Sequence, residues 1–235
     1  DLLRRLHASF ERERAFSTQL AHELRTPLAE LRAIVDVALR WPDDPRELAL
    51  ALQEAGSIQS QMQGLIVNLL ALARSGADAE LSRPQSVDLY TAIERALGAA
   101  QRRFDARAIS VENGVARDQA VLAPPEALEL VLSNLAVNSA LYAPPQSRVR
   151  IRFDATAGTL LWTNPAPDLE ASDLEHLFAR FWRKSKARST GDHAGLGLCL
   201  VRSLARHWGG EASATLDRGE LWVAVSGLKP DGRAD

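Results

Sequence analysis

Cysteine is nearly absent from this chain: Cys199 is the one example among 235 residues. That excludes a disulfide framework and a cysteine-built metal site, and with Leu198, Leu200 and Val201 around it Cys199 reads as a small buried apolar residue. A reducing cytoplasm fits. Long apolar runs are also missing. Nothing reaches the roughly 18 residues of a membrane-crossing helix, and the N-terminus lacks the pattern of a signal peptide, so this chain by itself is expected neither to cross a membrane nor to be exported. No basic tract stands out and the formal charge is −2, which argues against a nucleic-acid partner. The histidines form no His-x-x-x-His pair and have no carboxylate partner pattern, so a catalytic zinc is not expected. His7, His176 and His207 lie in polar or helix-terminal contexts. Internal repeats and low-complexity tracts are absent as well.

What the chain does have is helical periodicity, beginning at its first residues. Leu2, Leu3, Leu6, Phe10 and Phe16 already keep helical spacing with no cap before them, which leads us to expect a fragment preceded by another segment. A first helix is expected to run to about Trp41, carrying Leu20, Leu24, Leu28, Leu31 and Val35 on one stripe, with His22 and Glu23 off it and facing water. Pro42-Asp43-Asp44-Pro45 breaks that helix and offers acidic caps. The second helix, roughly Pro45 to Arg74, aligns Leu48, Leu52, Ala55, Ile58, Met62, Leu65, Leu69 and Leu72. A two-helix hairpin buries too little surface to stand alone, so a second copy completing a four-helix bundle is the economical solution.

Ser75 to Ala79 and Ser82-Arg83-Pro84 read as a linker. Beyond it the order is helix (about Asp88 to Arg103), strands (Ile109–Glu112 and Ala120–Leu122), helix (Pro125–Tyr142), strands (Ser147–Asp154 and Thr159–Thr163), helices, and two strands near 211–215 and 221–225 joined by Asp217-Arg218-Gly219. This mixture suggests an α/β sandwich. The expected division is 1–76 for the helical hairpin, 77–86 for the linker and 87–235 for the second domain.

The chemistry starts at His22-Glu23-Leu24-Arg25-Thr26-Pro27-Leu28. An imidazole titrates near neutrality, which leaves a nucleophilic nitrogen, and a neighbouring carboxylate can hold the other ring proton. Pro27 has no amide hydrogen, so it frees a carbonyl about one turn earlier, near Glu23. This run resembles the phospho-acceptor box of sensor histidine kinases, the transmitter half of two-component signalling. Two further motifs follow. Asn134 and Asn138, four apart inside an apolar helix, share one face, and an amide oxygen can complete the shell of Mg²⁺. Gly195-Leu196-Gly197-Leu198 precedes an apolar helix, where backbone amides can approach a phosphate closely. They resemble the family's asparagine box and second glycine box. Leu177 to Arg183 resembles its phenylalanine box, and the polar run Arg183–Asp192, with His193 beyond it, reads as a lid.

The resemblance implies an α+β protein: a helical hairpin forming a dimeric four-helix bundle, followed by an α/β sandwich ATP-binding domain of the histidine kinase, gyrase and chaperone type. It implies that Mg-ATP phosphorylates His22, with Glu23 as base or orienting group, and that the phosphoryl group passes to an aspartate on the receiver domain of a response regulator. Thr26 would position water for a reverse, phosphatase reaction. Asn138 would hold Mg²⁺ and Asn134 organise the phosphates, with Arg183, Gly195, Leu196 and Gly197 completing the nucleotide site and Tyr142 bordering the adenine. The chain would be the cytoplasmic portion of an inner-membrane sensor, reaching the membrane only through an upstream segment. Two departures stand out. Leu141 replaces the usual Lys or Arg. Asn164-Pro165-Ala166-Pro167-Asp168 replaces Asp-x-Gly-x-Gly, so Asn164 would accept the adenine amino group without a charge, through a bond about half as strong. The alternative these departures raise is a pseudokinase acting as a phosphatase or scaffold.

Overall fold

The computed structural model describes residues 2–41, 44–74, 83–184 and 194–232, which fall into two compact units, one helical and one α/β. The break at Pro42-Asp43, the linker residues 75–82 and the lid 185–193 with His193 lie outside the described residues.

The helical unit is built on α1 (Leu2–Arg40) and α2 (Pro45–Arg74), close to the bounds expected from sequence. α2 is capped by Asp44, whose Oδ1 accepts from the Arg46 and Glu47 amides at 2.9 and 3.3 Å. α1 continues through Pro27, which is buried. On its stripe Leu20, Leu24 and Leu31 are half-buried, whereas Leu28 and Val35 are exposed. On α2, Ile58 and Leu72 are buried, but Leu48 and Leu52 are not: Leu52 is 68% exposed, and Ala51 takes its place on the inner side. Side chains repeating every 3.5 residues drift by about 20° per heptad around a 3.6-residue helix, and the start of the stripe has turned away. Phe10, Val37, Leu39, Trp41, Leu50, Ile66, Val67 and Leu70 are also exposed, so the hairpin keeps a large apolar surface in water.

The α/β unit opens with β1 (Gln85–Asp88), a strand absent from the sequence expectation, which starts within the stretch taken as linker. Asp88 ends it and caps α3 (Leu89–Ala106): its carboxylate accepts from the Thr91 amide at 2.8 Å and the Thr91 hydroxyl at 2.7 Å, bonds that hold its pKa below the usual carboxylate range. β2 (Ser110–Asn113), β3 (Ala120–Ala123), α4 (Pro125–Tyr142), β4 (Arg148–Asp154) and β5 (Thr159–Pro165) follow, then a short 3-10 turn Ala171–Asp173, α5 (Gly197–His207), β6 (Ala212–Asp217), β7 (Glu220–Val225) and β8 (Lys229–Pro230).

Five strands form one sheet in the order β2-β4-β5-β7-β6, parallel only between β2 and β4. β1-β3-β8 form a second, antiparallel sheet. Alternation fixes the faces of the large sheet: Val149, Ile151, Leu160, Trp162, Leu221, Val223 and Val225 point into the core, while Arg148, Arg150 and Arg152 point out. α3, α4 and α5 supply the other side of the core through Ile93, Phe104, Leu128, Val131, Leu132, Leu135, Leu200 and Leu204. α4 buries apolar residues on more than one side because it lies between α3 and α5. Arg107 closes its C-terminal end, donating to the carbonyls of Ala140, at 2.8 Å, and Leu141. The β6–β7 turn is Arg218-Gly219, both with positive φ (48° and 78°), the twist a two-residue hairpin requires.

β5 runs two residues beyond Thr163. Asn164 pairs with Leu221 and Pro165 with Glu220, so Asn164 is a strand residue rather than part of a loop.

Candidate functional site

On α1 His22 is exposed, and its side chain makes no hydrogen bond or ion pair among the described residues. Glu23 is half-buried rather than fully in water, and its Oε1 accepts from Gln19 Nε2 at 3.2 Å. Gln19 was not anticipated, although its spacing of four from Glu23 is a readable signal. The Thr26 hydroxyl donates to the His22 carbonyl at 3.3 Å, and Pro27 has no amide to offer the Glu23 carbonyl. Both loosen the helix around His22. Ala21, Leu24, Arg25, Leu28, Ala29 and Arg32 line an open groove beside it.

In the α/β unit, α4 carries Asn134 and Asn138 on one face, both half-buried. Asn134 Nδ2 donates to the Leu130 carbonyl at 2.8 Å, leaving its oxygen turned away from its own helix. That oxygen meets the start of α5. A methyl group on Gly197 would lie 3.0 Å from Asn134 Oδ1, so glycine is what allows the two helices to approach there. Gly195 has φ +65°, which favours glycine, and Leu196 between them is buried. The first turn of α5 carries no acidic residue, and its amide hydrogens make up the positive end of the helix dipole. Asn138 makes no side-chain hydrogen bond among the described residues, and Tyr142, on the last turn of α4, is exposed.

The first glycine box is where sequence reasoning fell shortest. Asn164 is buried, and its Oδ1 accepts from Ser139 Oγ at 3.3 Å while its Nδ2 donates to the Pro165 carbonyl at 3.1 Å. Ser139 in turn accepts from Trp162 Nε1 at 2.8 Å. Neither Ser139 nor Trp162 was singled out from sequence; a serine among apolar helix residues was the available signal.

Around the phenylalanine box, Phe178 is buried and Arg202 lies 4.8 Å from its ring centre while donating to its carbonyl at 3.1 Å. Phe181 has φ +62°, a strained conformation for an aromatic residue. Arg183 has its Nε and Nη2 buried without a hydrogen-bond partner among the described residues. A cation with unsatisfied donors calls for an anion. Lys184, the last described residue before the lid, bonds to Asp173 at 2.6 Å and to Glu170 at 3.1 Å, which lowers the Asp173 pKa and raises that of Lys184. The Cys199 thiol is buried, and burial pushes its pKa up to about 11, in keeping with the apolar reading. His176 stacks on Trp182, and His207 Nδ1 lies 2.9 Å from the Ser203 carbonyl. Among the described residues no three His, Cys, Asp or Glu come together to hold a metal, and no helix is long and apolar enough to cross a membrane.

Two family models match the chain. Residues 12–78 match the His Kinase A (phospho-acceptor) domain, and residues 123–227 match the histidine kinase-, DNA gyrase B-, and HSP90-like ATPase. The sensor protein kinase PmrB of Pseudomonas aeruginosa is 32% identical over 212 residues, covering 88% of this chain and 44% of its own length. The chain thus spans about half the length of such relatives. Among solved structures, the Acinetobacter baumannii histidine kinase AdeS superposes with a TM-score of 0.65 at 19% identity, over 87% of this chain and 97% of that one. The histidine kinase ThkA, in a structure with the response regulator protein TrrA, gives 0.67 at 17% identity, over 93% of this chain and 63% of that one. At these identities both likenesses speak to fold.

Proposed function

The chain belongs to the sensor histidine kinases of two-component signalling, and from that premise we propose that it transfers the γ-phosphoryl group of ATP to His22 and passes it on to an aspartate of a response regulator's receiver domain. The observation that carries this reading is the pairing, in one chain, of an exposed histidine within the His22–Leu28 box and a cleft where Asn134 faces the glycine start of α5.

The first step forms a P–N bond from an imidazole nitrogen of His22 to the γ-phosphorus and breaks the P–O bond to ADP. The proton on the other ring nitrogen of the resulting imidazolium passes to Glu23, whose carboxylate Gln19 holds in place. Such transfer depends on positioning and charge neutralisation more than on covalent chemistry by the protein. The α5 amides would donate to phosphate oxygens, with Asn134 organising the phosphates beside them, and the Arg183 donors that have no partner among the described residues fit the same role. Tyr142 would border the base that Asn164 reads. Mg²⁺ fits at Asn138, an amide without a side-chain hydrogen bond among the described residues, where the cation would draw its other oxygens from phosphates and water and offset phosphate charge. Thr26 would orient water when the regulator is dephosphorylated.

The exposed apolar faces of α1 and α2 support a homodimer through a four-helix bundle. The histidine kinase ThkA was solved with a response regulator, and a receiver domain is the partner proposed here. A cytoplasmic position beneath an inner-membrane sensor segment follows from the same reading. The pseudokinase alternative draws no support from the relatives, among which one is named a sensor protein kinase and another a sensor histidine kinase.

The test is incubation with γ-labelled ATP and Mg²⁺ for the wild type and His22→Gln. Acid-labile, base-stable label that disappears in the variant is expected. Nucleotide binding without any label on the wild type would sink the kinase reading.

A further inference from the structure

One buried polar chain has no part in the phosphate chemistry: Trp162, Ser139 and Asn164, from the middle of β5, the last turns of α4 and the end of β5. Trp162 is fully buried, and its indole N–H can only donate; it lies 2.8 Å from Ser139 Oγ. Ser139 accepts on that side and donates its own proton to the Asn164 side chain, 3.3 Å away. A donated proton needs an acceptor, so the Asn164 atom facing Ser139 is Oδ1 and not the amide nitrogen. The other end agrees, since Nδ2 donates to the Pro165 carbonyl at 3.1 Å. Two neighbours thus decide which end is which in a group of nearly symmetric shape. An aspartate would need no such arrangement, because both its oxygens accept.

We infer that Ser139 and Trp162 are positioning residues for base recognition: they lock the Asn164 amide in one orientation, so that the site selects a 6-amino purine over a 6-oxo purine. The inference rests on the nucleotide-site reading above and names what sets its substrate class. Adenine offers a donor at its amino group and an acceptor at N1. A 6-oxo purine offers the reverse, an oxygen at C6 and a hydrogen at N1. The amide keeps one Oδ1 lone pair and one Nδ2 hydrogen beyond the bonds described. A free amide could serve either base by turning over. A locked one serves a single base, and the wrong one leaves buried polar groups unpaired.

The experiment measures dissociation constants of ATP and ITP, with Mg²⁺ and by calorimetry in the cold, for the wild type, Ser139→Ala and Trp162→Phe. The wild type is expected to prefer ATP, and Ser139→Ala to narrow the ATP:ITP ratio by about tenfold, the weight of one oriented hydrogen bond. Trp162→Phe removes the donor that orients the Ser139 hydroxyl and is expected to narrow the ratio in the same direction. Melting curves establish that both variants fold, and Ser139→Ala stands as the readout should the tryptophan change disrupt the core. A purely structural role would weaken both nucleotides alike. An unchanged ratio, or a wild type without ATP preference, overturns this inference and leaves the kinase reading intact. Failure of the wild type to bind either nucleotide overturns both.

Discussion

Adding one methyl group at Gly197 is the smallest perturbation that probes the phosphate side of the cleft. The new carbon would stand 3.0 Å from Asn134 Oδ1 and 3.8 Å from Asn134 Cβ and Cγ. Only the first distance is too short, by a few tenths of an ångström, so the Asn134 side chain has to yield. It is held by its 2.8 Å bond to the Leu130 carbonyl, and giving that up costs about 1 kcal/mol. Alanine is favoured over glycine in a helix by up to about 1 kcal/mol, and by less at the first position. The two terms largely cancel, so Gly197→Ala is expected to lower stability by under about 1 kcal/mol, a melting shift of a few degrees. Binding has no such compensation. The methyl fills the space between the first α5 amides and Asn134 that phosphate oxygens would enter, and affinity is expected to fall at least about tenfold, or roughly 1.4 kcal/mol. Calorimetric titration with a non-hydrolysable ATP analogue, set beside thermal melts, separates the two quantities. A variant that melts like the wild type and binds the analogue equally well would refute the argument.

Two further expectations concern titration. With its thiol near pKa 11, Cys199 is about one part in a thousand thiolate at pH 8, so a maleimide should label the folded chain at least a hundredfold more slowly than the chain in denaturant; equal rates would show that the thiol is not buried. The Asp173–Lys184 pair gives the opposite sign for its carboxylate: Asp173 is depressed below 3.8, so its contribution is complete above that value and fades as pH falls through the lower folded value, while the raised Lys184 keeps its own contribution up to 10.5. Asp173→Asn should therefore lower the melting temperature slightly and evenly from pH 5 to 9, with the difference closing in strong acid. A difference that instead peaks near pH 6.5 would point to a histidine and not to this pair.

The bounds of α2 and α4 were legible because Pro45 and Pro125 mark where a helix can begin, and because the apolar spacing that follows holds without interruption. β1 and β8 were not: four and two residues are too few to show alternation, and each exists only because β3 offers an edge to pair with. The end of β5 was hidden by Pro165, which reads as a breaker in sequence but sits at the last rung of the ladder, where its missing amide costs little. In the site, residue types at short spacing were readable, as with His22 and Glu23 or Asn134 and Asn138. The hydrogen bond between Ser139 and Asn164 joins positions 25 apart in sequence, and the aim of a tryptophan N–H at a serine depends on how helix and sheet pack. No local pattern encodes that.

The apolar residues that α1 and α2 leave in water, Leu52 and Leu39 among them, bear on what it means to call this chain stable. If the proposed second copy covers them, the helical core has no melting temperature of its own, because dilution alone removes the neighbour and with it part of the driving force for folding. In a cell the same dependence makes copy number a structural variable: the helical unit would be well formed where the chains are crowded and marginal where they are sparse, while the α/β unit, with its core enclosed, would not register the difference.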